Sequence, residues 1–294
     1  MRGMCVLSLA VAALAAGCGA STATTTSRPP QPKPLAIYAD GVKLATLLSD
    51  RQAVRLPQRL SIRSGRARIA VDIPLQRAKR AVRAALRADK TRVDLPVVAH
   101  SSSIALRPVL QVLHNDCEAT SLSMLLAAAG VRVGQLRLQA QLPRSGPLDP
   151  EPVAGSTLFR WGDPERGFVG RPAGGGSEGG FGVYEPPIRA LATRYGVHLV
   201  DLHGRSVAAV RAVVLAGRPI LAWVGLDAGP YLSWLTPTGR KITVNLDEHA
   251  VVLVGAGPGY VLVDNPLSGR RERWSESLFE YRWQLLGHRA LALP

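Results

Sequence analysis

Cysteine is scarce in this 294-residue chain, which holds three, at positions 5, 18 and 117. Three scattered thiols cannot form the framework of a disulfide-stapled scaffold, and none stands at the paired spacing of a structural zinc site. An HExxH helix is also missing, which removes the commonest metallopeptidase signature. Acids are few, 21 against 36 Lys and Arg, for a formal net charge of +15. No recognition motif for nucleic acid accompanies that charge, and no internal repeat is visible. The apolar run from Val6 to Ala16 is too short to cross a bilayer. Gly255, Gly257 and Gly259 are followed by a strand pattern where a dinucleotide-binding loop needs a helix, so that run predicts a hairpin turn.

What is present begins with Arg2, the apolar run, and Gly17-Cys18 followed by small polar residues, the layout of a secretory signal over 1–17. Ala15-Ala16-Gly17-Cys18 resembles a bacterial lipobox, although the preferred Leu falls one place early, at Leu14. The resemblance implies diacylation of Cys18, membrane attachment through that lipid, and a location on the extracytoplasmic face of the cell membrane. Residues 18–35, rich in Ser, Thr and Pro, suit an extended tether. With Cys5 lost and Cys18 lipidated, Cys117 is the lone thiol of the folded body. The positive charge gathers early in the mature chain, from Arg51, Arg55 and Arg59 through Arg77, Lys79, Arg80, Arg83 and Arg87. Such a face makes an anionic lipid surface or an anionic envelope polymer a candidate partner, while nucleic acid is not expected outside the membrane.

Residues 36–94 read as a small α+β module: an Asp40-Gly41 turn between apolar stretches, alternation over 66–73, and a helical pattern over 74–88. Residues 95–294 form a second domain. Its spacing predicts helices over 117–129, 188–195, 207–216 and 276–286. Strands are predicted over 197–202, 219–224, 249–254, 260–263 and 289–293. The Gly- and Pro-rich stretch from Leu142 to Pro187 is long for a structureless segment, and it is expected to act as a mobile lid, with Trp161, Phe168, Phe181 and Tyr184 docking it or gripping a substrate.

The chemistry concentrates around Cys117. Asn115 and Glu118 have capping-box spacing, so a helix should begin at Asp116 or Cys117, where the macrodipole and free N–H groups favour a thiolate. His249 opens an apolar strand, and the return strand ends in Asp264-Asn265-Pro266, two candidates to hold the imidazole. The order Cys, His, then Asn or Asp is that of papain-like hydrolases. His198, His203 and the run Asp247-Glu248-His249 are the nearest approach to a metal set; neither metal nor cofactor is expected.

The chain further resembles the C39-like cysteine peptidases, in particular the stand-alone members of bacterial envelopes. The matching stretches are Asn115 to Leu122, Trp161-Gly162-Asp163-Pro164, Gly167 to Gly170, Phe181 to Tyr184, Gly217 to Ile220, Glu248 to Leu253 and Asp264 to Leu267. The resemblance implies an α+β, papain-like fold, with a Cys-bearing helix packed on an antiparallel sheet. It also implies a thiol hydrolase that cleaves or transfers a peptide or amide acyl group. Cys117 would be the nucleophile, His249 the base, and Gln111, six residues before the Cys, the oxyanion donor. Family members place Asp directly before the Pro, whereas Asn265 stands there and Asp264 falls one earlier. Asn265 is favoured by register and Asp264 is the alternative. No transporter domain accompanies these stretches, so the double-glycine substrates of bacteriocin maturation are not expected. The competing reading is a non-catalytic envelope lipoprotein that keeps the fold as a binding scaffold.

Overall fold

Alternating and helical apolar patterns partition the chain into two compact units, residues 1–62 with 70–100, and residues 63–69 with 101–294. The computed structural model describes residues 4–7, 33–48, 52, 54–174 and 179–294. Most of the signal segment, Cys18, nearly all of the tether and Gly175 to Glu178 lie outside them.

In the first unit, β1 (Met4–Leu7) pairs antiparallel with β4 (Val54–Pro57). Strands β2 (Leu35–Ala39) and β3 (Val42–Leu47) meet at Asp40-Gly41, both at positive φ, 47° and 75°. Those angles are what a two-residue primed turn requires, and Asp-Gly supplies them cheaply. The first residues of β5 (Arg59–Ser64) and the last of β6 (Ala67–Asp72) follow, then α1 (Leu75–Arg87) and β7 (Arg92–Leu95), which runs parallel to β2. Ala78, Val82 and Ala85 turn one helical stripe into a core with Leu35, Ile37, Leu47, Leu56 and Leu95, leaving Arg80, Arg83 and Arg87 on the solvent side.

The second unit is built round β17 (Glu248–Gly257), a ten-residue strand buried on both faces after its first residue. Before it come the last residues of β8 (Val98–Ile104), helices α2 (Cys117–Ala128) and α3 (Gln135–Gln141), and the short strands β9 (Glu151–Pro152), β10 (Phe159–Arg160), β11 (Val169–Gly170) and β12 (Gly180–Gly182). Next are α4 (Glu185–Arg194), β13 (Val200–Asp201), α5 (Val207–Leu215), β14 (Ile220–Gly225), β15 (Tyr231–Leu235) and β16 (Lys241–Asn245). After β17 follow β18 (Tyr260–Asn265), β19 (Arg270–Ser275), α6 (Glu276–Gln284) and β20 (Ala290–Ala292). The antiparallel sheet orders β13-β20-β14-β17, with β18 pairing β17 and β19 pairing β18. The glycine run is a hairpin: β17 and β18 pair through Gly257 and Tyr260. A register shift falls between Leu253 and Gly255, where a Cβ would sit 2.5 Å from the Ser102 carbonyl. Helix α2 lies on this sheet, buried from Cys117 to Leu126, with Ser121 Oγ donating to the Ala250 carbonyl at 3.1 Å. A helix buried all round needs no amphipathic stripe, and α2 has none.

Candidate active site

Helix α2 begins at Cys117, with Asp116 as its N-cap residue and no side-chain cap. The expected capping box does not form. Asn115 Nδ2 donates instead to the carbonyls of Arg171, at 3.2 Å, and Gly174. Glu118 Oε1 accepts the Val183 N–H at 2.6 Å, and Oε2 accepts the Cys117 S–H at 3.2 Å. The cause is burial: this helix start faces protein, so its polar side chains are spent on backbone groups of Arg171, Gly174 and Val183.

That burial reverses the expected electrostatics of the thiol. Desolvation pushes Cys117 well above the usual thiol range, and the nearby Glu118 and Glu248 carboxylates add to it, opposed by the Ala250 N–H. Burial likewise lifts Glu118 to about 7 and Glu248 well above the carboxylate range, with Glu118 as the second cause for Glu248. Two carboxyl groups this close, one buried and one half-buried, do not readily both ionise, so the pair retains a proton. The resting nucleophile candidate is therefore a thiol, and the favourable helix terminus is outweighed. One ligand atom each from Cys117, Glu118 and Glu248 lies within 4.8 Å of the other two. Gly182, at φ +139°, makes this convergence possible, because a Cβ there would lie 2.3 Å from Glu118 Oε1 and 3.1 Å from Glu248 Oε2. The three groups could in principle take a metal ion, but Glu118 already uses one oxygen on Val183 and the other on the thiol. Sequence reasoning read Glu118 only as a capping residue and Glu248 only in the candidate metal run, and placed neither beside the thiol. The only signal was an acid directly beside each of Cys117 and His249.

His249 opens the interior of β17, 3% exposed, and its Nε2 lies 2.8 Å from Asn265 Oδ1. Asn265 Nδ2 donates to Glu272 Oε1 at 2.9 Å, and Oδ1 also accepts the Leu267 N–H at 3.0 Å. With the amide orientation fixed from outside, Oδ1 must accept, so Nε2 carries the ring proton and Nδ1 is left as the basic nitrogen. Burial holds His249 down to about 4, so it is a neutral imidazole through the physiological range. Asp264 does not take this place. Neighbouring strand residues point to opposite faces, and Asp264, wholly buried, is bound by Arg271 through Nε at 2.7 Å and Nη2 at 2.9 Å.

Cys117, His249 and Gln111 line one cleft of about 480 Å³, together with His114, Phe181, Asp247 and Glu248. Both protons of Gln111 Nε2 are engaged, at 3.1 Å by the Leu113 carbonyl and at 2.7 Å by that of His114, leaving Oε1 buried and unpartnered. In this arrangement the side chain braces its own loop and offers nothing to an oxyanion. The lid expectation changes too. Trp161, Phe168, Phe181 and Tyr184 are all buried, and Phe181 meets Trp234 and Tyr184 edge-on at 5.6 and 5.7 Å. These rings dock the described parts of the 142–187 segment into the core instead of waiting for substrate, while Gly175 to Glu178 of the glycine run lie outside the described residues. His203 sits apart from the cleft, its Nδ1 3.2 Å from Glu185 Oε1.

A Cys-headed buried helix against an antiparallel sheet that carries His and Asn on adjacent strands defines a papain-like α+β fold. Residues 103–291 match the Peptidase_C39 like family, and the chain belongs to that family. The Bacillus subtilis (strain 168) protein YvpB, itself uncharacterised, is 33% identical over 185 residues, which are 62% of this chain and 70% of YvpB. A crystal structure of a Bacillus anthracis protein assigned to the C39-like peptidases shares the fold with a TM-score of 0.56 and 28% identity, over 65% of this chain and 94% of that one.

Proposed function

We propose that this protein is an exported, lipid-anchored thiol hydrolase acting on a peptide or amide acyl group. The observation that carries the chemistry is the cleft shared by Cys117 and His249, with His249 Nε2 held by Asn265 at 2.8 Å so that Nδ1 is free to take a proton. In the resting state the S–H points to Glu118. For reaction the S–H must leave Glu118 for the imidazole, whose Nδ1 accepts the proton as sulfur bonds to the carbonyl carbon and the π pair moves to oxygen. The Cys117 N–H, one of the orphan donors of a helix start, suits that oxyanion. The imidazolium then protonates the departing nitrogen as the C–N bond breaks, and a water deprotonated by the same Nδ1 cleaves the thioester. An amine in place of water gives acyl transfer.

The test is labelling with an electrophilic acyl probe and mapping of the adduct. It should fall on Cys117, vanish in Cys117→Ala and weaken in His249→Ala. Labelling that ignores His249 would favour the scaffold reading. The anchor rests on the sequence of residues 1–18: Cys18→Ser should move the protein from the membrane pellet to the soluble fraction, and a wild-type chain without lipid mass would defeat it. Removal of 1–17 also frees the β4 edge that Met4–Leu7 covers. No helix of the described residues is long and apolar enough to cross a membrane.

A further inference from the structure

Helix α1 carries charge of one sign. Its 13 residues hold Arg77, Lys79, Arg80, Arg83 and Arg87 and no acid. By helical spacing Arg80, Arg83 and Arg87 share one narrow sector opposite the buried stripe of Ala78, Val82 and Ala85, with Arg77 and Lys79 at its margins. All four arginines are exposed. Acids of the same unit are committed elsewhere: Asp89 to Lys33, Asp72 to Arg59 and His100, and Asp94 to Arg92. Among the described residues, none of the five α1 cations joins an ion pair or a side-chain hydrogen bond. Lys79 with Arg83, Arg80 with Arg83 and Arg83 with Arg87 stand three or four residues apart, where like charges repel. An anionic surface laid on this face would turn that repulsion into attraction.

The position of the tether says which surface. Lys33 Nζ lies 2.7 Å from Asp89 Oδ2, two residues past the end of α1, and the Ala36 N–H donates to the Thr91 carbonyl at 2.8 Å. The chain that leads back to Cys18 thus leaves the unit beside the C-terminus of this helix. Residues 19–32 separate Cys18 from Lys33, and a chain of that length reaches at most about 50 Å. A lipid on Cys18 would hold α1 near the headgroups at the raised effective concentration of a short tether. A soluble polyanion gains nothing from this placement. We infer that the Arg80, Arg83 and Arg87 face of α1 docks the first unit on an anionic phospholipid surface, its guanidinium groups against lipid phosphates. The choice of a membrane over a soluble polymer rests on the anchor reading of Cys18. Guanidinium meets phosphate with two parallel N–H donors, and four of the five cations are Arg. Each one brought within a Debye length of such a surface, about 8 Å, adds roughly fivefold to partitioning. The first unit thereby acts as a foot that holds the protein on the membrane.

Vesicle binding tests this. The full chain with Cys18→Ser has no acyl group at that position and reads the surface alone. Its affinity is measured by co-sedimentation with vesicles of one part phosphatidylglycerol to two of phosphatidylcholine, and with phosphatidylcholine alone, which cancels apolar binding through residues 1–17. The anionic vesicles should be preferred by roughly 100-fold or more, and Arg80→Gln, Arg83→Gln and Arg87→Gln together should cut that preference by roughly 30-fold or more. The control, Arg63→Gln, Arg66→Gln and Arg68→Gln, removes the same charge from exposed positions elsewhere and should change it by less than about threefold. Glutamine keeps helix propensity, and circular dichroism checks the fold. Should the variant not fold, salt is the second arm: raising NaCl from 0.1 to 0.5 M should weaken binding of the Cys18→Ser chain to anionic vesicles roughly tenfold or more. Equal losses in the two triple variants, or binding indifferent to salt, overturn the inference. So does binding of soluble polyglutamate that depends on Arg80, Arg83 and Arg87 when vesicle binding does not, which would give the face to an anionic polymer. Wild-type chain without lipid mass defeats the anchor alone, and vesicle binding indifferent to headgroup charge defeats the docking face alone.

Discussion

Replacing Glu118 by Gln should make Cys117 more reactive, not less. Its sulfur lies 3.2 Å from Glu118 Oε2, and both side chains are buried. Two unit charges about 4 Å apart interact by about 4 kcal/mol at an effective dielectric near 20. Burial lifts Glu118 to about 7, so only part of that charge, taken as about half, is present at neutral pH. Its removal then favours the thiolate by about 2 kcal/mol, or about 1.5 pKa units. Glu248, relieved of its neighbour, ionises more and takes back part of the gain. The expected result at pH 7 is a 10- to 30-fold rise in the thiolate fraction. Glutamine can still accept the Val183 N–H and can turn an amide N–H toward sulfur, so the fold should persist. The assay is iodoacetamide alkylation from pH 5 to 10, followed on the Cys117 peptide, with near-ultraviolet circular dichroism to check the fold. A folded variant that alkylates at the wild-type rate or more slowly at pH 7 refutes the reasoning and makes Glu118 the group that takes the thiol proton.

Three further outcomes are expected. Asp264→Asn should cost about 3 kcal/mol in urea unfolding, because it strands Arg271 beside a buried site, while leaving the pH profile of Cys117 alkylation unchanged; equal stability would mean that the ion pair is dispensable. Asn265→Asp sets a carboxyl group against Glu272, where the amide now donates at 2.9 Å, so its stability relative to wild type should fall as pH rises above about 4, and a flat difference would count against that contact. His249 has a folded pKa of about 4 against roughly 6.5 unfolded, so the unfolded chain binds more protons between these values. Its contribution is present above about 6.5 and lost as pH falls toward 4, by at most about 3 kcal/mol. A His249→Gln chain should therefore show a shallower decline between pH 7 and 4.5, and an identical decline would contradict the buried neutral imidazole.

Much of the second unit was legible because its strongest elements carry dense apolar patterns. The ends of α2 and β14, and the hairpin of β17 and β18, lie within a few residues of the spans read from sequence. What escaped has physical reasons. Strand β19, Arg-Arg-Glu-Arg-Trp-Ser, is charge-rich and is a strand because β18 offers it an edge. Strands β15 and β16 do alternate, Ile242 and Val244 against Lys241 and Thr243, but they are too short to outweigh the surrounding turn residues. Tyr184 and Trp161 could be read as binding aromatics because exposure is not a property of a residue type; packing against Trp234 and Phe181 decided it. The Cys117 environment was misjudged for the same reason. A helix terminus is visible in sequence, but the depth at which the helix is buried, and the acids that other elements bring to it, are not.

The choice between Asn265 and Asp264 shows how far local chemistry settles a role once the surroundings are known. The residue beside His249 must accept from Nε2, because only then is Nδ1 left basic and facing away. It must also coexist with Glu272, whose carboxylate takes Ser268 Oγ at 2.6 Å and Trp274 Nε1 at 2.7 Å and is held below its ordinary range mainly by these donors, despite its burial. A carboxylate at 265 would meet the first demand and fail the second, since it has no proton to give to Glu272. An amide meets both, accepting with Oδ1 and donating with Nδ2. The acid therefore goes one residue earlier, to the opposite face of the strand, where Arg271 closes on it with two nitrogens and a third donation, to the Leu106 carbonyl, ties the pair to the chain ahead of α2. On this strand Asn orients the imidazole and Asp fastens the strand, and each would be misplaced in the other's position.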